Sequence, residues 1–208
     1  MTRNSLFFHL LDECFRIVMA ARDNSFIFNK NSGLKTILSE QQLALTVKRL
    51  AHQILENHLK LSNTVIIGLQ PRGIFLSDRI VAEIRKILPG ETIQYGKLDI
   101  TFYRDDVRKS LHIANATDIP FSIENRKVVL IDDVLYTGRT IRAALDALLD
   151  FGRPSHVSLC VLIDRRFSRE LPIQPDYAGK VIDTIISQKV KVCWKEKDTI
   201  EQVILLDS

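Results

Sequence analysis

The stretch KVVLIDDVLYTGRT, residues 127–140, sets an apolar run against two adjacent carboxylates and then a glycine flanked by hydroxyl side chains. Val128, Val129, Leu130 and Ile131 are the β-branched and aliphatic residues of a strand buried on both faces. Asp132 and Asp133 follow at once. Two like charges where a buried strand surfaces repel each other and lose hydration, a cost tolerated only where donors or a cation face them. Thr137, Gly138, Arg139 and Thr140 then lead into GRTIRAALDALLDFG, a helical pattern that stops at Gly152. The first turn of a helix presents free N–H groups and partial positive charge, which suits phosphate. The loop after Ile131 therefore reads as a grip for a ribose 5-phosphate. Its acids would hold the sugar hydroxyls, and its amides and threonines the phosphate. The plain alternative is an acid pair capping a strand, with a routine turn after it. Neither GxxxxGK[ST] nor GxGxxG occurs, so ordinary nucleotide loops are not supported.

Working outward, strands and helices alternate. TVIIGL (64–69) reads as a buried strand and RGIFLSDRIVAEIRKIL (72–88) as a helix closed by Pro89 and Gly90. IQYGKLDITFY (93–103) reads as a strand region, followed by a polar stretch to about Pro120, and HVSLCVLID (156–164) as another strand. Upstream, apolar residues at 43, 47, 50, 51, 54 and 55 mark an amphipathic helix with Ser39 as its N-cap. This order predicts an α/β fold with a doubly wound, mostly parallel sheet. Ligands of such sheets sit at the carboxyl ends of the strands, where both GLQPRG and IDDVLYTGRT fall.

The chain has 208 residues, enough for one domain with a sizeable core and an appendage. Its net charge of +4 permits an anionic substrate or nucleic acid without demanding either. Cys14, Cys160 and Cys193 are far apart and form no CxxC, which points to a reduced, cytoplasmic protein. No apolar run is long enough to cross a membrane. Residues 1–33 differ from the rest and read as an N-terminal extension, either a helix or translated upstream sequence. Residues 34–208 form the predicted main domain.

The run LIDDVLYTGRT is similar to the signature of the phosphoribosyltransferases, which bind 5-phosphoribosyl-1-diphosphate (PRPP). With LKTILSEQQLALTVKRLAHQILE, IIGLQPRGIFL, LDITFYRDD and RELPIQPDYAGK in order, residues 34–205 resemble the PyrR family. Its members are bifunctional pyrimidine-operon regulators with uracil phosphoribosyltransferase activity. The resemblance implies the type I phosphoribosyltransferase fold with a small hood, and conversion of uracil and PRPP to UMP and diphosphate. It assigns PRPP binding to Asp132, Asp133, Val134, Leu135 and Tyr136, continuing through Thr137, Gly138, Arg139 and Thr140. The diphosphate loop would be Gln70, Pro71, Arg72 and Gly73, with proline where family members commonly carry threonine. Arg104 and Arg108, at the root of and within the hood, would face the diphosphate. The catalytic set would be Asp132, Asp133 and Arg104, and the nucleobase would lie against Asp164 and Arg165. Mg²⁺ would ride on the diphosphate near Asp132 and Asp133, with no site held mainly by protein.

Regulatory members bind messenger RNA through a basic face. Lys48, Arg49, His52, Arg169, Lys180 and Thr184 look similar to that face. Leu45 and Gln174 stand where regulators carry Arg, Lys48 where they carry Thr, and DRRFSRELP is one residue longer than the usual turn. Three functions stay open: an enzyme making UMP, an RNA-binding attenuator that senses UMP, and a phosphoribosyltransferase for another base. A homodimer or higher homo-oligomer is implied by the family.

Overall fold

A computed structural model describes residues 34–58, 61–104, 115–185 and 187–207. The N-terminal extension, residues 1–33, and Arg108 in the hood lie outside the described residues. In chain order the elements are β1 (Leu34–Leu38), α1 (Glu40–Asn57), β2 (Thr64–Leu69), α2 (Gly73–Ile87), β3 (Gln94–Leu98) and β4 (Lys127–Leu135). There follow α3 (Arg139–Leu148), β5 (His156–Arg166), β6 (Tyr177–Asp183), β7 (Lys189–Cys193), α4 (Lys195–Asp198) and β8 (Gln202–Leu206). They divide into two compact units: Ala44–Ile186, and the flanking segments up to Leu43 and from Ser187.

The larger unit is built on a five-stranded sheet, order β3-β2-β4-β5-β6, in which every neighbouring pair is parallel. β2 is buried at all six positions and β5 from Ser158 to Arg165. Burial on both faces is why these strands are apolar at consecutive rather than alternate positions. Val65, Ile67 and Leu69 of β2 join Val128 and Leu130 of β4 and Ile141, Ala144 and Ala147 of α3 in one core. α2 packs against β2 and β4, so helices cover the sheet as the doubly wound reading predicts.

The smaller unit is an antiparallel sheet, order β1-β8-β7, which the sequence reading did not identify. In the same unit, Ser39 Oγ accepts from the N–H of Gln42, and Gln42 Oε1 accepts from the N–H of Ser39. This capping box fixes the start of α1 where the sequence places it.

Two boundaries differ from expectation. β3 ends at Leu98 instead of running to Tyr103, because Asp99 accepts from the N–H of Thr101 at 2.7 Å and turns the chain into a short 3₁₀ segment. β4 runs to Leu135, so Asp132 and Asp133 belong to the strand and not to the loop after it.

Candidate active site

Three strand ends converge on the site. β2 delivers Gln70 to Gly73. The Gln70–Pro71 peptide is cis, Gln70 N–H donates to Leu98 O at 2.9 Å, and Gln70 Nε2 donates to Ala116 O at 2.7 Å. The turn is thus tied both to β3 and to the chain that returns at residue 115. Gly73 opens α2 hard against β4: a Cβ there would lie 2.7 Å from Ile131 O and 2.9 Å from Asp132 Cα. Arg72, just before it, donates from Nε to Asp133 Oδ2 at 3.2 Å.

β4 contributes the carboxylates, and both are buried. Asp132 Oδ1 accepts from the N–H of Asp133 at 2.9 Å. Burial, reinforced by the neighbouring charge of Asp133, pushes the Asp132 carboxyl up to about 8; the cations Arg104 and Arg72 act against the rise. Asp133 is also raised by burial, against the pull of Arg72. A buried pair that resists ionisation is poised to gain from hydroxyl donors or a cation brought by a ligand.

Beyond β4, a cavity of about 290 Å³ is lined by Arg104, Asp132, Tyr136, Thr137, Arg139 and Glu170, among others. Gly138 caps α3 with φ 95°, the left-handed region, where a side chain would also press on Leu171 and Ile173. The loop is held from outside. Thr137 O accepts from the N–H groups of Glu170 and Leu171, and Arg139 Nε donates to Glu170 Oε2 at 2.6 Å. The start of α3 is therefore presented as a fixed cup of N–H groups and hydroxyls, as phosphate binding needs.

β5 supplies Asp164 and Arg165, both buried. The guanidinium of Arg165 stacks 4.0 Å from the ring of Tyr136 and donates from Nε to Thr184 Oγ1 at 2.9 Å. Asp164 is ion-paired with Arg169. The Gln70–Gly73 turn, the acid pair, the α3 cup and the β5 end thus form one neighbourhood at the carboxyl edge of the sheet.

Residues 33–197 match the family model of the phosphoribosyl transferase domain. A bifunctional protein PyrR of Bacillus cereus (strain AH820) is 43% identical over 175 residues, covering 82% of this chain and 96% of the relative. The bifunctional protein PyrR of Deinococcus deserti is 47% identical over 174 residues, 83% of this chain and 94% of the relative. The chain belongs to the PyrR family of phosphoribosyltransferases. Among solved structures, a hypoxanthine phosphoribosyltransferase of Staphylococcus aureus aligns with TM-score 0.62 at 18% identity, over 88% of this chain and 97% of that one. A Trypanosoma cruzi hypoxanthine phosphoribosyl transferase aligns with TM-score 0.63 at 15% identity, over 85% and 92%. At that identity the likeness speaks to the fold, which is the type I phosphoribosyltransferase fold the PyrR resemblance implied.

The residues read as an RNA face separate in space. Lys48, Arg49, His52 and Lys180 are exposed. Arg49 lies across the edge of β6, donating to the carbonyl oxygens of Ala178 and Gly179. Arg169 and Thr184 point inward instead, onto Asp164 and Arg165 respectively. Sequence reasoning missed Glu170 and Asp99 as site supports. Asp99 accepts from the N–H of Thr101, the N–H of Asn115 and Asn115 Nδ2, closing the base of the segment between them. An aspartate ending a strand before a polar stretch was the available signal.

Proposed function

We propose that this PyrR-family chain is a uracil phosphoribosyltransferase, converting uracil and PRPP to UMP and diphosphate. The observation that carries the reading is the buried Asp132–Asp133 pair, with Arg72 on Asp133 and with Asp132, Arg104 and the α3 cup lining one cavity. N1 of uracil forms a bond to C1 of the ribose as the C1–O bond to diphosphate breaks. The bonding pair leaves with diphosphate, and the N1 proton is released. Positive charge develops on the ribose and negative charge on the leaving group. Positioning and charge stabilisation therefore do most of the work, and no covalent nucleophile is required.

In this reading Thr137, Gly138 and Thr140 hold the 5-phosphate, the two aspartates hold the ribose hydroxyls, and Arg72 and Arg104 steady the diphosphate. The base lies against the β5 end, where Asp164 is fixed by Arg169. Mg²⁺ fits here. Burial raises both carboxyl pKa values despite Arg72 and Arg104, so a cation brought to the pair would favour its ionised form. No cluster of three metal-ligating side chains occurs among the described residues, so the ion would draw most ligands from diphosphate and water. When bound, it would supply charge neutralisation of the leaving group.

Steady-state release of diphosphate with uracil, beside hypoxanthine and an Asp133→Asn control, tests the proposal. Uracil-dependent turnover that falls at least about 100-fold in the variant is expected. Turnover with hypoxanthine alone would reassign the acceptor. The family name supports a second activity, UMP-sensing binding of messenger RNA, for which exposed Lys48, His52 and Lys180 beside the Arg49 contact are the best-placed groups. Phosphate contacts of that kind would weaken steeply with salt. A cytoplasmic homo-oligomer is part of the same proposal. No helix among the described residues is long and apolar enough to cross a membrane, and exposed Phe102 and Phe167 offer apolar surface for self-association. The main catalytic domain is taken as 34–208, with 1–33 as an extension.

A further inference from the structure

A polar cluster outside the cavity joins β3 to the first turns of α2. Tyr95 and Lys97, two apart on β3, share a face of the sheet with Gly68, the β2 partner of Lys97. Gly68 leaves room there for the buried Ser77 of α2, since a Cβ on the glycine would lie 2.1 Å from Ser77 Oγ. The Tyr95 hydroxyl donates to Asp78 Oδ1 at 2.8 Å and lies 2.7 Å from Ser77 Oγ. Its single proton is committed to the carboxylate, so Ser77 is the donor of the shorter contact. Lys97 Nζ completes the cluster, 3.1 Å from Asp78 Oδ1 and 5.6 Å from the centre of the Tyr95 ring.

We propose that Tyr95 is a positioning residue for the Gln70–Gly73 turn: its hydroxyl sets the distance between α2 and β3, and so the place of Arg72 against a bound diphosphate. The proposal rests on reading that turn as the diphosphate-binding one.

Both ends of the turn run into the elements that the phenol bridges. Gln70 begins it and donates its N–H to Leu98 O at the end of β3. Gly73 ends it and stands one helical turn before Ser77 on α2. Arg72, between them, reaches Asp133 at 3.2 Å. The same part of β3 is tied to the chain that returns from the hood, because Lys97 and Asp118 exchange N–H···O bonds of 2.8 Å. Gly68 offers α2 no side chain to pack on, so the hold on this side of the helix is polar and comes through Tyr95. Burial raises the Tyr95 pKa, the Ser77 contact opposes the rise and Asp78 adds to it, so the bridging proton is present throughout the neutral range.

Steady-state release of diphosphate in Tyr95→Phe, with PRPP and uracil varied in turn, tests this role. The variant keeps the ring, Ser77 can turn its proton to Ile74 O at 3.1 Å, and Asp78 retains Lys97, so the fold is kept. The KM for PRPP should rise about three- to tenfold, while the KM for uracil stays within about twofold. Ser77→Ala should raise the PRPP KM by less. The double variant should be no worse than Tyr95→Phe alone, since both residues act through one bridge. Val157→Ala, near the amino end of β5 and packed on the α3 side of the sheet, controls for stability alone: it should lower the folded fraction and leave both KM values unchanged. An unchanged PRPP KM in Tyr95→Phe, both KM values raised alike, or additive losses in the double variant overturns the proposal. Where no base supports turnover, the uracil reading fails separately, and calorimetric PRPP affinity in the same variants decides. A Kd weakened by the stated factor supports the role of Tyr95; an unchanged Kd, or no binding to wild type, overturns it.

Discussion

The guanidinium of Arg169 pairs with the carboxylate of Asp164, and its remaining N–H groups donate to the carbonyl oxygens of Leu135, Tyr136, Arg165 and Ile173. One side chain therefore ties the ends of β4 and β5 to the turn that clamps Thr137. A partly buried acid robbed of its cation is left uncompensated, at a cost of about 3–5 kcal/mol. Arg169→Met is expected to lower the unfolding free energy obtained from urea melts by that much and to cut turnover at the same time. Arg169→Lys keeps the charge but not the planar fork, and should fall between the two. A Met variant as stable and active as wild type would refute the role.

Gly73→Ala tests how tightly α2 is pressed against the acid pair. The atoms a Cβ would meet at 2.7 and 2.9 Å are backbone atoms of Ile131 and Asp132, which cannot swing aside. Overpacking of this kind costs about 1–3 kcal/mol. Because the displaced strand carries Asp132, the KM for PRPP should rise as thermal stability falls. Stability lost with KM unchanged would separate packing from function at this point.

The sheet and the start of α3 were legible in the sequence because both are local. Consecutive apolar residues in 64–69 and 128–131 announce buried parallel strands, and Thr137 to Thr140 announce a helix start that favours anions. What lay hidden depends on partners distant in sequence. Arg169 reads as a surface cation until Asp164 and the β4 carbonyls are placed beside it. Thr184 likewise reads as exposed until Arg165 reaches it across the pair of β5 and β6. The antiparallel sheet of β1, β8 and β7 joins the two ends of the described chain, a pairing that no window of periodicity can show.

Asp99 is expected to act as a clasp. Burial favours its neutral form, but the hydrogen bonds from Thr101 and Asn115 outweigh this and hold its pKa below the ordinary carboxylate value. A depressed carboxylate contributes stability at neutral pH that is lost as pH falls through the folded value. Asp99→Ala removes that contribution and leaves the N–H groups of Thr101 and Asn115 without their acceptor, a loss of about 1–3 kcal/mol. Amide exchange at Thr101 and Asn115 should accelerate in the variant, and turnover should fall. Unchanged exchange at both amides would rule the clasp out.

The acid pair has the opposite sign. Asp132 keeps its proton in the folded chain up to about pH 8, whereas in the unfolded chain it ionises near pH 4. Below pH 4 both states are protonated and the residue costs nothing. Between the two values the folded state binds the extra proton, so stability falls as pH rises, and above about pH 8 the penalty is constant. Asp132→Asn removes the ionisable group. It should match wild type in stability near pH 4 and exceed it by at least about 1.4 kcal/mol at pH 8, the worth of a single pH unit in pKa. The same variant should lose its grip on the ribose, so that PRPP turnover drops while the thermal midpoint rises. Thermal melts from pH 4 to 9 beside diphosphate release check both halves. A variant less stable than wild type at pH 8 would mean that the carboxylate is already satisfied in the free protein, by Arg72 and Arg104, and is not held in reserve for substrate.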